Sequence, residues 1–214
     1  MSDSARVRCG ISIYLSHNIN SVCYDIKTRP IYNANTLIKN AILTQAEYCP
    51  TSHWDERPEQ TTVSLLVVHN ISLPPNKFGG DYIKYFFTGC LDPKLHPYFA
   101  SIYQMRVSAH CLIKRDGSIL QFVPFDKRAW HAGVSSFQGI SRCNDYSIGI
   151  ELEGADHIPY TPAQYEQLSL LTKALMQDYP AITLGRIVGH NDIAPGRKTD
   201  PGIAFDWSQY RQMI

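Results

Sequence analysis

Two histidines and one aspartate have the residue types and positions of a metal site. His69 ends one run of aliphatic residues, His190 ends another, and Asp200 lies in a loop punctuated by proline and glycine. Strand ends and the loops after them are where a rigid sheet offers side chains to a ligand. Two imidazoles and one carboxylate leave a coordination position on Zn²⁺ open for water, as in catalytic zinc sites. By spacing alone, each histidine can equally be an ordinary hydrogen-bonded residue at a strand end.

Glu151 is a candidate acid or base because of its place in an alternating segment, residues 146–152. The aliphatic residues of that segment share one face, and Glu151 shares the other with the small Ser147 and Gly149. The carboxylate points either to solvent or into a cleft beside the sheet. In a cleft, desolvation would raise its pKa and suit it to accept a proton from water near neutral pH. The sequence pattern leaves both orientations open.

Lys198 is in the same loop as Asp200. Its ammonium group can stabilise a developing oxyanion, or it can be a solvated loop lysine. Other catalytic patterns are absent from the sequence: there is no H-E-x-x-H, no G-x-S-x-G and no complete phosphate-binding loop. The neighbours His110 and Cys111 do not suit a thiol nucleophile, because adjacent strand residues point to opposite faces.

Composition narrows the class of protein that carries these residues. The chain has 214 residues, a net charge of +1 and 44% hydrophobic residues, which predicts one medium-sized globular domain with a full core. Near-neutral charge argues against binding to nucleic acid or to an anionic membrane by bulk electrostatics. Six scattered cysteines without a C-x-x-C pair are typical of reduced, mostly buried thiols. With no signal-peptide core and no apolar stretch of membrane-spanning length, we expect a cytoplasmic protein.

Periodicity predicts the elements that position the candidate residues. Residues 1–33 form an N-terminal extension whose strand-like runs at 11–15 and 22–26 we leave unassigned, and residues 34–214 form the main domain. Helices are expected at 36–46, at 81–87, from the capping box Thr161-Pro162-x-Gln164 onward, and at 207–213. Strands are expected at 62–69, 106–113, 119–123, 146–152 and 186–190, with an Asp-Gly hairpin turn after the second. The hairpin makes a purely parallel sheet unexpected, so the fold class is mixed α/β (α+β), a central mixed sheet with flanking helices.

Taken together, these segments closely resemble the AmpD family of zinc-dependent N-acetyl-1,6-anhydromuramyl-L-alanine amidases of bacterial cell-wall recycling. The resemblance runs in the family's order from about residue 36 to the C-terminus. The segments that carry it are LLVVHNISLPP (65–75), VSAHCLI (107–113), DKRAWHAG (126–133), NDYSIGIELEG (144–154) and RKTDPG (197–202).

The resemblance implies roles for five residues. His69, His190 and Asp200 match the family's Zn²⁺ ligands, Glu151 its catalytic acid/base, and Lys198 the cation that stabilises the tetrahedral intermediate. It also implies the amidase and peptidoglycan-recognition-protein fold, and hydrolysis of the amide between the lactyl group of 1,6-anhydro-N-acetylmuramic acid and L-alanine of the stem peptide. The expected partner is therefore a small muropeptide, with neither nucleic acid nor membrane involved; the sequence leaves the oligomeric state open.

Five further residues are candidate substrate contacts. Arg106 and Arg142 can pair with stem-peptide carboxylates, because a guanidinium group grips a carboxylate in two places. Asn70 and Tyr98 can meet the sugar or the lactyl group, and Trp130 can form the cleft floor. A surface or structural role is an equal alternative for each. Two alternative functions also remain at this point: a non-catalytic peptidoglycan-recognition module, and an amidase that acts on the intact cell wall.

Overall fold

The computed structural model describes residues 37–214, so the runs at 11–15 and 22–26 and the domain division at residue 33 lie outside the described residues. Twelve strands lie within the described residues: β1 (Ile38–Lys39), β2 (Ile42–Leu43), β3 (Glu47–Tyr48), β4 (Trp54–Asp55), β5 (Leu65–Ile71), β6 (Cys111–Ile113), β7 (Ile119–Gln121), β8 (Arg128–Ala129), β9 (Ser136–Phe137), β10 (Ile140–Ser141), β11 (Ser147–Glu153) and β12 (Ile187–Gly189). The helices are α1 (Tyr82–Phe87), α2 (Phe99–Ile102), α3 (Pro162–Asp178), α4 (His190–Ile193) and α5 (Trp207–Met213), with 3₁₀ turns at Cys143–Asp145 and Leu184–Arg186.

The central sheet has six strands in the order β12-β5-β11-β6-β7-β3. Strands β12, β5, β11 and β6 are parallel neighbours, β6 and β7 form an antiparallel pair, and β7 is parallel to β3. The mixed sheet with flanking helices confirms the predicted fold class. Three strands that carry or precede candidate site residues, β5, β11 and β12, therefore end at the same edge of the sheet, where open α/β sheets bind their ligands.

The two longest strands are covered on both faces. All seven residues of β11 are buried, as are the first five of β5. Leu66 and Val68 pack with Ile148 and Ile150 into the core under α3 and α5. Leu65 and Val67 point the other way, towards Val188 and the loop around Ala132. Because side chains alternate along a strand, His69 lies on the same face as Val67, away from α3.

Helix α3 begins as the sequence predicts. The Thr161 side chain accepts a hydrogen bond from the backbone N–H of Gln164, and the Gln164 side chain accepts one from the backbone N–H of Thr161. The Gln164 amide also donates to the backbone oxygens of Ile113 and Glu153, at 3.2 and 3.0 Å. The cap thus fastens the start of α3 to the carboxyl ends of β6 and β11, next to the site edge.

One predicted helix is wrong. Residues 38–43 form a β-hairpin, β1–β2, instead of continuing a helix from residue 36, which itself lies outside the described residues. The turn at Asn40 and Ala41 has positive φ angles of 53° and 61°, which a right-handed helix excludes. Gln121 fixes this hairpin, since its side chain accepts from the N–H of Leu43 and donates to the oxygen of Ala41. A long-range contact therefore outweighs the helical spacing of the apolar residues.

The remaining elements confirm the predictions with shifted bounds. The predicted strand at 106–113 is regular only from Cys111, and the one at 186–190 ends at Gly189, so that His190 begins helix α4. The strand expected at 62–69 runs from Leu65 to Ile71 and contains His69. Within residues 37–214, no helix combines the length and the apolar character needed to cross a bilayer.

We expect Thr161→Ala to lower the free energy of unfolding by about 1–2 kcal/mol, the usual cost of a lost N-cap. The hydroxyl also donates to the Arg115 carbonyl at 2.7 Å, and that acceptor would lose its partner. Urea unfolding of both proteins measures the difference. Thr183→Ala is the matched control, because Thr183 precedes a 3₁₀ turn without a side-chain cap hydrogen bond. Equal effects of the two substitutions would contradict the role of the cap.

Candidate active site

The two histidines and the aspartate converge at the site edge of the sheet. Nδ1 of His69 lies 3.0 Å from Nδ1 of His190 and 3.0 Å from Oδ2 of Asp200, and Nδ1 of His190 lies 3.0 Å from the same oxygen. Along the chain, His69 is 121 residues from His190 and 131 residues from Asp200. The three atoms can hold one metal ion. Ligand atoms of a tetrahedral ion with bonds of about 2.0–2.1 Å are about 3.3 Å apart, so the spacing suits a small divalent cation.

The hydrogen bonds behind these atoms also fit a metal. Nε2 of His190 lies 3.1 Å from the carbonyl oxygen of Ala132, which can only accept, so Nε2 carries the proton of the neutral ring. Nδ1 of His190 then presents a lone pair to the site. Metal-binding histidines characteristically donate their second nitrogen to such a carbonyl or carboxylate. The residues present therefore fit a bound cation on donor type, spacing and orientation.

Burial and mutual contact shift the pKa values of the cluster. Burial lowers the pKa of His69 to about 4, although the neighbouring Asp200 opposes that shift. Burial alone would raise the pKa of Asp200, but its contacts with His190 and His69 outweigh it and hold this pKa well below its usual range. The carboxylate is thus ionised and His69 is neutral at pH 7, which is the protonation that metal binding requires.

The backbone around Asp200 is held by its neighbours. The N–H of Asn191 donates to the carbonyl oxygen of Asp200 at 3.0 Å. The next carbonyl, that of Pro201, accepts from the Asn70 amide at 3.0 Å and from the Tyr160 hydroxyl at 2.7 Å. The same Asn70 nitrogen donates to the Asp156 carboxylate at 2.8 Å. Asn70 therefore fastens the loop of Asp200 to strand β5, and its amide nitrogen is engaged in these two contacts.

Glu151 points into the cleft and not to solvent, which decides the orientation that the sequence left open. It pairs in register with His69 across the parallel strands β5 and β11, and 8% of its surface is exposed. Its Oε2 is buried and has no hydrogen-bond partner among residues 37–214. Burial, together with the negative charge of Asp200, raises its pKa well above the ordinary value, against the opposing charge of Lys198. A buried carboxyl oxygen without a partner costs stability, and such groups concentrate where chemistry needs them.

His131 is a third imidazole buried at the site, and the sequence analysis did not single it out. Its Nδ1 lies 2.9 Å from Nε2 of His69, and its Nε2 lies 3.1 Å from the Ser147 hydroxyl. Burial and the nearby histidines lower its pKa well below the ordinary value. The signal that could have found it is the pair of small residues, Ser147 and Gly149, on the Glu151 face of β11, because small residues leave room for a ring that packs on them.

A cleft of about 380 Å³ opens over these residues. Its walls come from the loop after β5, from helices α1 and α2, and from the segment around Trp130. Residues predicted for the site that line it are His69, Asn70, Tyr98, Trp130, Glu151, His190, Lys198 and Asp200. The volume is within the range of small-molecule sites. Lys198 is exposed and lies at the rim of this cleft.

Two predicted substrate contacts, Arg106 and Arg142, lie beside this cleft. The Arg106 guanidinium stacks over the Trp130 ring, with Cζ 5.4 Å from its centroid. Arg142 lines a second depression, of about 420 Å³, that shares Trp130 with the cleft. Arg142 also pairs with Asp145 at 3.1 Å, while its side chain remains 70% exposed. The Trp130 indole donates to Asp55 at 3.1 Å, which fixes the ring between the two depressions.

Comparisons with known proteins agree with this arrangement. Residues 59–203 match the family model for N-acetylmuramoyl-L-alanine amidase. The chain is 60% identical over 178 residues to the 1,6-anhydro-N-acetylmuramyl-L-alanine amidase AmpD of Citrobacter freundii, covering 83% of this chain and 95% of that protein. It is 59% identical to the AmpD of Escherichia coli K12, with 83% and 97% covered.

A solved structure supports the family and the fold. The chain superposes on a crystal structure of a selenomethionine derivative of AmpD with a TM-score of 0.81. The two sequences are 60% identical, and the match covers 83% of this chain and 99% of the AmpD chain. A match of this extent, in both sequence and fold, confirms the resemblance found in the sequence. The chain belongs to the AmpD group of the N-acetylmuramoyl-L-alanine amidase family.

Proposed function

We propose that this protein hydrolyses the amide bond between the lactyl group of 1,6-anhydro-N-acetylmuramic acid and L-alanine of the stem peptide, with Zn²⁺ held by His69, His190 and Asp200. The observation that carries the proposal is the convergence of these three ligand atoms, at 3.0 Å, in the same cleft as a buried carboxyl oxygen of Glu151 that has no hydrogen-bond partner in the described part of the chain. The substrate follows from relatives about 60% identical that are named for this activity. A cytoplasmic location of the protein remains a prediction.

The bound ligand of a more distant relative supports the same substrate class. The N-acetylmuramyl-L-alanine amidase AmiD of Escherichia coli has been solved with the substrate anhydro-N-acetylmuramic acid-L-Ala-D-γ-Glu-L-Lys. That protein is 31% identical to this chain, with a TM-score of 0.52 and 74% of this chain covered. A peptide-bearing anhydro sugar extends well beyond a metal site, and the cleft over His69 has a second depression beside it that shares Trp130 as a lining residue.

The proposed mechanism uses the two charged side chains beside the ligand set. When bound, Zn²⁺ supplies a Lewis acid that polarises the scissile carbonyl and lowers the pKa of water. Glu151 accepts a proton from the attacking water at Oε2, as the new bond between water oxygen and carbonyl carbon forms. It then delivers this proton to the L-alanine nitrogen, so that the C–N bond breaks with a neutral amine leaving. Its raised pKa suits both transfers. The Lys198 ammonium stabilises the negative carbonyl oxygen between the two steps.

The same features argue against a non-catalytic recognition module. A protein that binds peptidoglycan without cleaving it gains nothing from a buried carboxyl oxygen that lacks a partner among the described residues. An amidase for intact wall differs in substrate and not in chemistry. Assays of purified anhydromuropeptide and of whole sacculi, run in parallel, distinguish these functions. We expect release of the peptide from the anhydromuropeptide, and activity on sacculi alone would overturn the proposed substrate.

Removal of the metal should abolish turnover. Dialysis against a chelator is expected to stop hydrolysis of anhydromuropeptide, and one equivalent of Zn²⁺ is expected to restore it and raise the melting temperature. Asp200→Ala should lower both zinc content and activity, because the site loses its charged ligand. Asp178→Ala, on the exposed end of α3, is the control. Elemental analysis with the assay checks this, and full activity of metal-free protein would contradict the proposed cofactor.

Glu151→Gln should reduce kcat by about 10²–10⁴-fold, because the amide cannot transfer the proton. Zinc content should stay at one equivalent, since Glu151 is not one of the three proposed ligands. Glu166→Gln places the same change on the exposed face of α3 and should have no effect. A kcat close to that of the unchanged protein would remove Glu151 from the mechanism.

Lys198→Met should reduce kcat by about 10²–10³-fold and leave zinc content unchanged, because it removes one stabilising charge from the transition state. The matched control is Lys173→Met, at an exposed position of α3. Steady-state kinetics on the anhydromuropeptide measures the effect. A rise in KM with kcat preserved would instead assign Lys198 to ground-state binding of substrate.

A further inference from the structure

We infer that His131 is a positioning residue for His69: it accepts the hydrogen bond of His69 Nε2–H and thereby turns the lone pair of Nδ1 towards the metal. This inference rests on the proposed metal site. It concerns a residue outside the ligand set, and it explains why the Glu151 face of β11 carries a serine and a glycine.

The contact between the two rings has the donor–acceptor distance of a hydrogen bond. Nε2 of His69 and Nδ1 of His131 are 2.9 Å apart, and the rings meet nearly at right angles, at 82°. Both side chains are buried, with 1% and 9% of their surface exposed. One of the two nitrogens must carry the proton. A proton on Nε2 of His69 leaves Nδ1 free to bind metal, whereas a proton on Nδ1 of His131 places the hydrogen of His69 on Nδ1 and blocks that ligand atom.

Ser147 stabilises the binding-competent arrangement. Its hydroxyl oxygen lies 3.1 Å from Nε2 of His131, on the side of the ring away from His69. When the Ser147 oxygen accepts a hydrogen bond from Nε2–H of His131, Nδ1 of His131 carries a lone pair and is the acceptor that His69 needs. The result is a chain of two hydrogen bonds, from His69 to His131 and from His131 to Ser147. Second partners of this kind fix the tautomer and the ring orientation of metal-binding histidines.

Gly149 makes space for this chain. A methyl group at Gly149 would overlap the His131 ring, with the nearest approach to Cγ. Ser147, Gly149 and Glu151 share one face of β11. On this face, Ser147 accepts the hydrogen bond, Gly149 leaves room for the His131 ring, and Glu151 is the proposed acid/base. The spacing of two residues follows from the alternation of side chains along a strand.

The backbone next to His131 orients the second histidine ligand. The carbonyl oxygen of Ala132 accepts from Nε2 of His190 at 3.1 Å. The Asn144 side chain accepts from the N–H groups of both His131 and Ala132, at 3.2 and 2.8 Å, and so holds this dipeptide in place. One dipeptide therefore supports both imidazole ligands, His69 through a side chain and His190 through the backbone. A ring that merely filled space would not need a hydrogen-bond partner on each nitrogen.

The test compares zinc affinity in variants that keep or remove the acceptor. His131→Leu removes it, whereas His131→Asn keeps an oxygen near the position of Nδ1. We expect His131→Leu to weaken Zn²⁺ binding by about 10–100-fold and His131→Asn to recover most of that loss. Competition with a chromophoric chelator gives the dissociation constants, and the absorption spectrum of the Co²⁺-substituted protein reports ligand geometry.

Ser147→Ala provides a second variant that leaves His131 in place. It should weaken Zn²⁺ binding several-fold, whereas Ser169→Ala, a buried serine of α3 that donates to the Glu166 carbonyl, should leave it unchanged. Wild-type affinity in His131→Leu, or equal losses in His131→Leu and His131→Asn, would overturn the inference. If His131→Leu does not fold, equal affinities of the two serine variants overturn it. Failure of the unchanged protein to bind Zn²⁺ would overturn the metal site itself, a distinct result.

Discussion

The structure depends on one electrostatic constraint: three lone-pair-bearing atoms, from two imidazoles and one carboxylate, are held 3.0 Å apart in a largely buried site. Such atoms repel one another unless a proton or a cation lies between them, and burial strengthens that repulsion because water no longer screens it. The fold must therefore hold each of these three side chains in place. It does so through the Ala132 carbonyl for His190, through His131 for His69, and through the fastened loop for Asp200.

The sheet supplies most of this rigidity. Parallel pairing brings His69 directly opposite Glu151, and it brings the end of β12, which leads into His190, to the same edge. The opposite face is packed against α3 and α5, so the strands cannot shift without breaking the main core. The edge with the candidate site can consequently carry polar groups that cost stability, as Glu151 does, because the apolar face supplies the stabilising free energy.

The sequence predicted those helices and strands that are determined by neighbouring residues. The capping box at Thr161, the buried strand before His69 and the alternating strand around Glu151 all appear near the predicted residues. The helix expected at residues 36–46 fails because Gln121, far along the chain, binds the turn of the β1–β2 hairpin through both its oxygen and its nitrogen. The periodicity of apolar residues contains no information about a hydrogen-bond partner that is about 80 residues away.

The sequence by itself determined the chemistry: which residues can bind a metal, which can transfer a proton, and, through its resemblance, which family carries them in this order. The tertiary structure decided what those residues face. It directs the Glu151 side chain into the cleft, binds Asn70 to the loop of Asp200 and places His131 next to His69. Residue types and short periodicities are properties of neighbouring positions, whereas burial and the directions of lone pairs arise only when strands distant in sequence pack together.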